Sequence, residues 1–369
     1  MNPADYSALD ETLEIMAPIG PDLNNGLSNH APMAIEAMCA IGRGDAVMPW
    51  FERYRRWLAP RPDRVARLTD DNWHAALGDI RRTEDWFEFF RNELEERPWP
   101  AVLDKWTARL APGLMAAATH GVIRTGHATR ALALEDTPAR RRELADGLAY
   151  WAADYMPLAA GRHRDSTVRA MPSKAIARVQ MIPPEMRRRN LGALTDALAQ
   201  LDSFEPFKDT LDAVDPAGDA CAFISDLTAT FARVFLANAR NSYTTIAFVH
   251  AVTGPSALRP LLPYLRDTTA HAALAYGWQA AAAMYATFGT RADLGRIEID
   301  EVKVSDEDGL IERAIACGDE HAIKFTEVCL REHAFNPDPA FFRGRRPCDS
   351  YPERRQQMTD AVLRYLMPQ

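Results

Sequence analysis

In the stretch CGDEHAIKFTEVCLREH, residues 317–333, an imidazole and an amine stand three residues apart on one side of a helix. His321 falls between Phe325 and Val328, inside the apolar arc, and Lys324 falls on its rim. A core histidine beside a lysine with a packed stem is one reading. A metal centre is the other, and the remaining histidines bear on the choice. Of the nine, His30 opens the apolar segment GLSNHAPMAIEAM, and His120 sits in MAAATHGVIRTG among small residues. His250 follows TTIAFV, and His271 begins an alanine-rich helix. Each alone also reads as a core histidine bonded to a carbonyl. Several on separate apolar helices point to metal ligation, because imidazole is the commonest side-chain ligand and burial favours its neutral, metal-binding form.

His127 follows His120 by seven residues, with Arg124 between them, and lies on the same helix face. It is a candidate catalytic residue, facing substrate or supporting a ligand; a buried, hydrogen-bonded histidine fits equally. His74, His163 and His333 lie among polar or basic residues and read as surface groups.

The elements that must position these residues are helical. Apolar periodicity close to 3.6 runs through HAPMAIEAMCAIG, EDWFEFFRNELEE (84–96), residues 114–134, 141–156 and 221–239. In the first of these, Asn29 reads as an N-cap and Pro32 as a first-turn residue. The segment 241–254 continues the pattern, and Gly254-Pro255 reads as its stop. The one strand-like alternation is IEIDEV, residues 297–302. With no linker or repeat, residues 1–369 read as a single large all-α domain of a dozen or more helices.

Composition narrows the function. The net charge of −8 argues against nucleic acid as a partner. Five dispersed cysteines form no CxxC and no disulfide framework, and the acidic N-terminus lacks a signal-peptide pattern, so the expected compartment is the cytoplasm. Residues 272–289 carry no charge but are mostly alanine, reading as a buried helix rather than a membrane span. No GxGxxG, P-loop, GxSxG or HExxH motif is present, and NAD(P)H as a reductant therefore has no motif behind it.

Five segments, GLSNHAPMAIEAM, HGVIRTGHATRAL, HAVTGPSALRPLLPYL, YGWQAAAAMYATFG and GDEHAIKFTEVCLRE, together resemble the questin oxidase-like family, in the family's order over about residues 20–333. That family includes fungal enzymes that oxidise anthraquinones and related aromatic polyketides without a flavin fold, by Baeyer–Villiger-type or ring-cleaving dioxygenase chemistry. Its members are helical and hold a mononuclear non-haem iron with four histidines and a carboxylated lysine. The resemblance implies Fe(II) held by His30, His120, His250, His321 and carboxylated Lys324, with His271 as the reserve for the fourth imidazole. It also implies dioxygen as co-substrate, CO2 for the lysine, and a small aromatic polycycle as substrate. The chain looks shorter than the fungal members, which leaves the substrate open.

The chemistry is coherent. A lysine reacts with CO2 only as the neutral amine, and burial favours that form. Asp319, Glu320 and Glu36 are candidates to orient the ligand imidazoles. Trp50, Trp57, Trp73, Trp86, Trp278, Phe87, Phe89, Phe90, Tyr276 and Tyr285 offer aromatic surface for a flat substrate, or core packing. Two other functions compete: a zinc hydrolase using the same ligands, and a non-catalytic protein that binds an aromatic metabolite. The sequence leaves the oligomeric state open.

Overall fold

The computed structural model describes residues 5–161, 169–188, 192–294 and 307–341. Within them lie fourteen α-helices. The first three, α1 (Ser7–Ile15), α2 (Ala31–Ala40) and α3 (Val47–Tyr54), accompany a short antiparallel pair, β1 (Ile19–Leu23) with β2 (Leu58–Pro60). Next come α4 (Thr83–Glu96), α5 (Trp99–Leu110), α6 (His120–Leu134) and α7 (Pro138–Ala153). Two short helices, α8 (Pro172–Ala175) and α9 (Leu194–Leu198), precede α10 (Ala220–Asn238), α11 (Ser242–Ser256) and α12 (Asp267–Phe288). The last pair is α13 (Glu307–Cys317) and α14 (Glu320–Phe335). The all-α expectation holds. IEIDEV, His163 and Cys348 lie outside the described residues.

The two apolar clusters explain where the site sits. A larger one joins α4–α7 to α10–α12 and includes Val122, Ile123, Ala128, Phe325, Val328 and Cys329. A smaller one joins α1–α3 and includes Ala131 and Ile323. Thus α6 and α14 each present one side to either cluster, and polar groups on them meet at the seam. The aromatic residues proposed for a substrate slot are mostly core: Trp73, Trp86, Phe89 and Phe90 pack with Trp106, edge-to-face or stacked, with centroids 4.9 to 6.3 Å apart.

Two expectations about helix ends are corrected. Residues 114–119 do not continue the alanine-rich helix; α6 starts at His120. Gly254-Pro255 is not a stop, since α11 runs on to Ser256 with Pro255 inside it. Pro255 has no N–H to give the Ala251 carbonyl, so the last turn of α11 lacks one rung of its ladder. The apolar helix α10 is long and apolar enough to cross a membrane, but 61% of its 18-residue window is buried within the fold, as for a core helix. Cys39, Cys221 and Cys329 are free thiols.

Close approach of α6 and α7 depends on two glycines. A Cβ on Gly121 would stand 2.6 Å from Trp151 Cα, and one on Gly147 would stand 2.9 Å from the Thr125 nitrogen. Both obstacles are backbone, so neither can swing aside. From the same stretch of α7, Tyr150 Oη donates to Asp22 Oδ1 at 2.9 Å and shares a 2.8 Å bond with Ser28 Oγ, tying β1 and the entry to α2 to the helix pair. Burial, outweighing the bond from Tyr150, raises the Asp22 carboxyl from 3.8 to about 6.

Gly147→Ala should therefore destabilise the protein by about 1–3 kcal/mol through overpacking. An unchanged midpoint in chemical denaturation would contradict that contact. Asp22 keeps its proton to higher pH when folded than when unfolded, so its contribution is greatest below about pH 4 and is lost as pH rises to about 6. Thermal melts across that window should fall less steeply for Asp22→Asn than for the native chain; identical slopes would refute the shift.

Candidate metal centre

Four helices bring four imidazoles and one amine together. His30 caps the N-terminus of α2, His120 is the first residue of α6, His250 lies midway along α11, and His321 and Lys324 lie in the first turns of α14. Ring centroids are 4.5 Å apart for His30 and His120, 4.7 Å for His30 and His321, 4.6 Å for His120 and His250, and 5.4 Å for His250 and His321. Ligand nitrogens of His30, His120 and His321 all fall within 4.8 Å of one another. Lys324 Nζ sits 3.1 Å from His30 Nδ1.

Hydrogen bonds set which nitrogen of each ring is left over. His120 Nδ1 donates to the Ala117 carbonyl at 2.5 Å, and His250 Nδ1 donates to the Ile246 carbonyl at 2.8 Å. A carbonyl only accepts, so each neutral ring carries its proton on Nδ1 and a lone pair on Nε2. Those two Nε2 atoms face each other at 3.2 Å. With no proton between them this contact is repulsive, and it becomes favourable once a cation is shared. Two metal–imidazole bonds of about 2.1 Å at a right angle set their nitrogens about 3.0 Å apart, close to the distance found. His321 Nδ1 lies 3.5 Å from Asp319 Oδ1, the carboxylate–histidine pairing typical of metal ligands. This donor set suits a divalent cation.

The pKa shifts agree in direction. Burial holds His30, His120 and His250 well below the ordinary imidazole value, and the neighbouring positive groups deepen the effect. Lys324 is 1% exposed, and among the described residues its one hydrogen-bond partner is His30. Burial brings it down to about 8 against the pull of Glu320 and Asp319, so part of it is neutral amine near pH 7. Three helix N-termini add to this. Those of α2, α6 and α14 converge here, each carrying about half a positive charge. They disfavour an ammonium and favour an anionic oxygen ligand.

Backbone strain and a glycine build this arrangement. Ala117, Ala118 and Thr119 have φ of 48°, 55° and 74°, a left-handed turn that costs about 1–3 kcal/mol per residue and swings His120 off the preceding chain direction. Opposite it, α11 passes at Gly254, where a Cβ would lie 2.8 Å from Thr119 Oγ1 and 2.9 Å from its Cβ. Tyr54 Oη accepts from the His30 backbone N–H at 3.0 Å, fixing the start of α2.

Not every candidate residue arrives. His271 lies in the first turn of α12, half-buried, and shares none of the ring contacts that join the other four histidines. His127 bonds through Nδ1 to Glu36 Oε2 at 2.5 Å, in a separate buried network with Tyr6 and Arg130. Glu36 thus serves His127 rather than one of the clustered imidazoles. The carbonyls of Ala117 and Ile246, and the Tyr54 hydroxyl, carry no sequence signature. His74 is exposed and stacked on Trp73, and His333 bonds to the Asp338 backbone.

No match was found among curated proteins. The sequence profile of the family described as Questin oxidase-like matches residues 27–329, a span that holds all four clustered imidazoles and Lys324. The chain therefore belongs to the Questin oxidase-like family, whose name denotes oxidoreductase chemistry.

Proposed function

We propose that the protein is a non-haem iron oxygenase acting on an aromatic polyketide or a related hydroxylated quinone, by ring cleavage or Baeyer–Villiger-type oxidation. The observation that carries the metal is the pair of Nε2 lone pairs of His120 and His250, held 3.2 Å apart with both ring protons committed elsewhere. Family membership supports the oxidative chemistry on aromatic polyketides.

His30, His120, His250 and His321 would hold the ion, and Lys324 would complete the set as a carbamate. Its neutral amine adds to the carbon of CO2, forming an N–C bond, and the displaced proton leaves to solvent. The carbamate supplies an anionic oxygen where, among the described residues, no Asp or Glu joins the cluster. Asp319 stabilises this layout: it caps α14 by accepting from the His321 and Ala322 N–H groups, and it faces His321 Nδ1. Bound here, ferrous iron would supply dioxygen activation, since nitrogen and oxygen ligands suit it. Burial keeps His30, His120 and His250 neutral, and four imidazole ligands add no charge, so a dication and one carbamate would leave a net charge near +1, favourable to a phenolate or enolate oxygen from the substrate.

Protein from iron-supplemented cells should contain about one iron per chain by mass spectrometry, with affinity falling at least about 100-fold in Lys324→Ala or His250→Ala. Oxygen uptake with hydroxylated anthraquinones should follow the iron content. Zinc in place of iron, with no oxygen uptake in the iron-reconstituted protein, would contradict the reading, as would full activity in Lys324→Ala.

A further inference from the structure

A second buried polar layer lies farther along the same three helices. Glu36 follows His30 by six residues on α2, Arg130 follows His120 by ten on α6, and Glu327 follows Lys324 by three on α14. Arg130 Nε donates to Glu36 Oε1 at 2.7 Å and Nη2 donates to Glu36 Oε2, while Nη1 donates to Glu327 Oε1. Glu36 and Glu327 are 1% and 2% exposed. Glu36 also accepts from Tyr6 Oη at 2.8 Å and from His127 Nδ1, so α1 and a second position on α6 join the same carboxylate. The same Glu327 oxygen, Oε1, also accepts from Arg331 Nε at 2.9 Å.

Two facts make this more than a buried ion pair. First, each helix it ties carries a member of the imidazole–lysine cluster, and the separation between α2 and α14 is what sets His30 Nδ1 against Lys324 Nζ at 3.1 Å. Second, the fork of a guanidinium has fixed geometry, so satisfying both carboxylates at once admits one spacing of those helices. Burial opposes ionisation of both acids, but Arg130 outweighs it, leaving Glu36 well below the carboxylate range and Glu327 at about 2.

We infer that Arg130 is a positioning residue for the metal centre, fixing the distance between the helices that carry His30 and Lys324 by bonding to Glu36 and Glu327 together. His127, on this account, orients Glu36 and does not touch substrate. The inference rests on the proposed metal site, so its test must separate the two.

Arg140 provides the control. Its side chain is 3% exposed against 19% for Arg130; it forks onto Asp10 at 2.8 and 2.7 Å and reaches only the C-terminal end of α6, through the Ala131 and Glu135 carbonyls, and neither α2 nor α14. Cobalt(II) titration with visible absorption should be run on the native protein, Arg130→Lys, Arg130→Gln and Arg140→Lys, with folding checked by circular dichroism. Arg130→Lys keeps the charge but loses the fork; it should bind cobalt about 10- to 100-fold more weakly, with a shifted ligand-field band, while Arg140→Lys matches the native protein. Cobalt affinity and spectrum unchanged in Arg130→Lys would overturn the inference and leave the metal site standing. Failure of both Arg130 variants to fold, where Arg140→Lys folds, would assign Arg130 to stability alone and overturn it too. A native protein that binds neither cobalt nor iron would overturn the metal site itself, and this inference with it.

Discussion

Two buried imidazole nitrogens with their lone pairs toward each other, 3.2 Å apart, are the constraint around which this molecule is arranged. Each ring has its proton bound to a backbone carbonyl, so neither can relieve the contact by donating. An unpaired buried polar atom is costly, and two aimed at one point are justified by a shared cation. The left-handed turn at 117–119, the glycine where α11 crosses it and the Tyr54 bond at the head of α2 all serve to hold that point in place.

The electrostatics around this point fit an anionic oxygen ligand drawn from a lysine. Three helix N-termini converge, and among the described residues no carboxylate joins the imidazole cluster; Asp319 beside it is occupied with capping α14 and facing His321. An ammonium in this field is penalised both by burial and by the helix dipoles, whereas a carbamate is favoured by both the dipoles and a dication. The charge of the site and the chemical state of Lys324 are therefore coupled. The deeper layer, where Arg130 joins Glu36 to Glu327, balances its own charges and leaves the upper layer to the metal.

Much of this was legible in the sequence because it is written in periodicity. The helices carrying His30, His250 and Lys324 show apolar spacing, and an imidazole inside an apolar arc stands out against it. What periodicity does not encode is convergence in space, so His271, at the head of an equally apolar helix, stays in reserve behind His321 until the fold separates them. The run MAAAT reads as helix because alanine is the best helix former. Tertiary contacts with α7 and α11 override that preference and produce the left-handed turn. The short β1–β2 pair has no alternation to betray it, and its β1 strand contains Gly20 and Pro21. His127 shares a helix face with His120, yet helix seven-residue spacing carries it about 10 Å along the axis, out of the cluster and into the carboxylate layer.

The most direct test of the central claim is anomalous diffraction at the iron edge from crystals of the iron-loaded protein. The account predicts one peak per chain, lying between the imidazoles of His30, His120, His250 and His321 and beside Lys324. A peak elsewhere, or none in crystals whose protein contains stoichiometric iron, would contradict it.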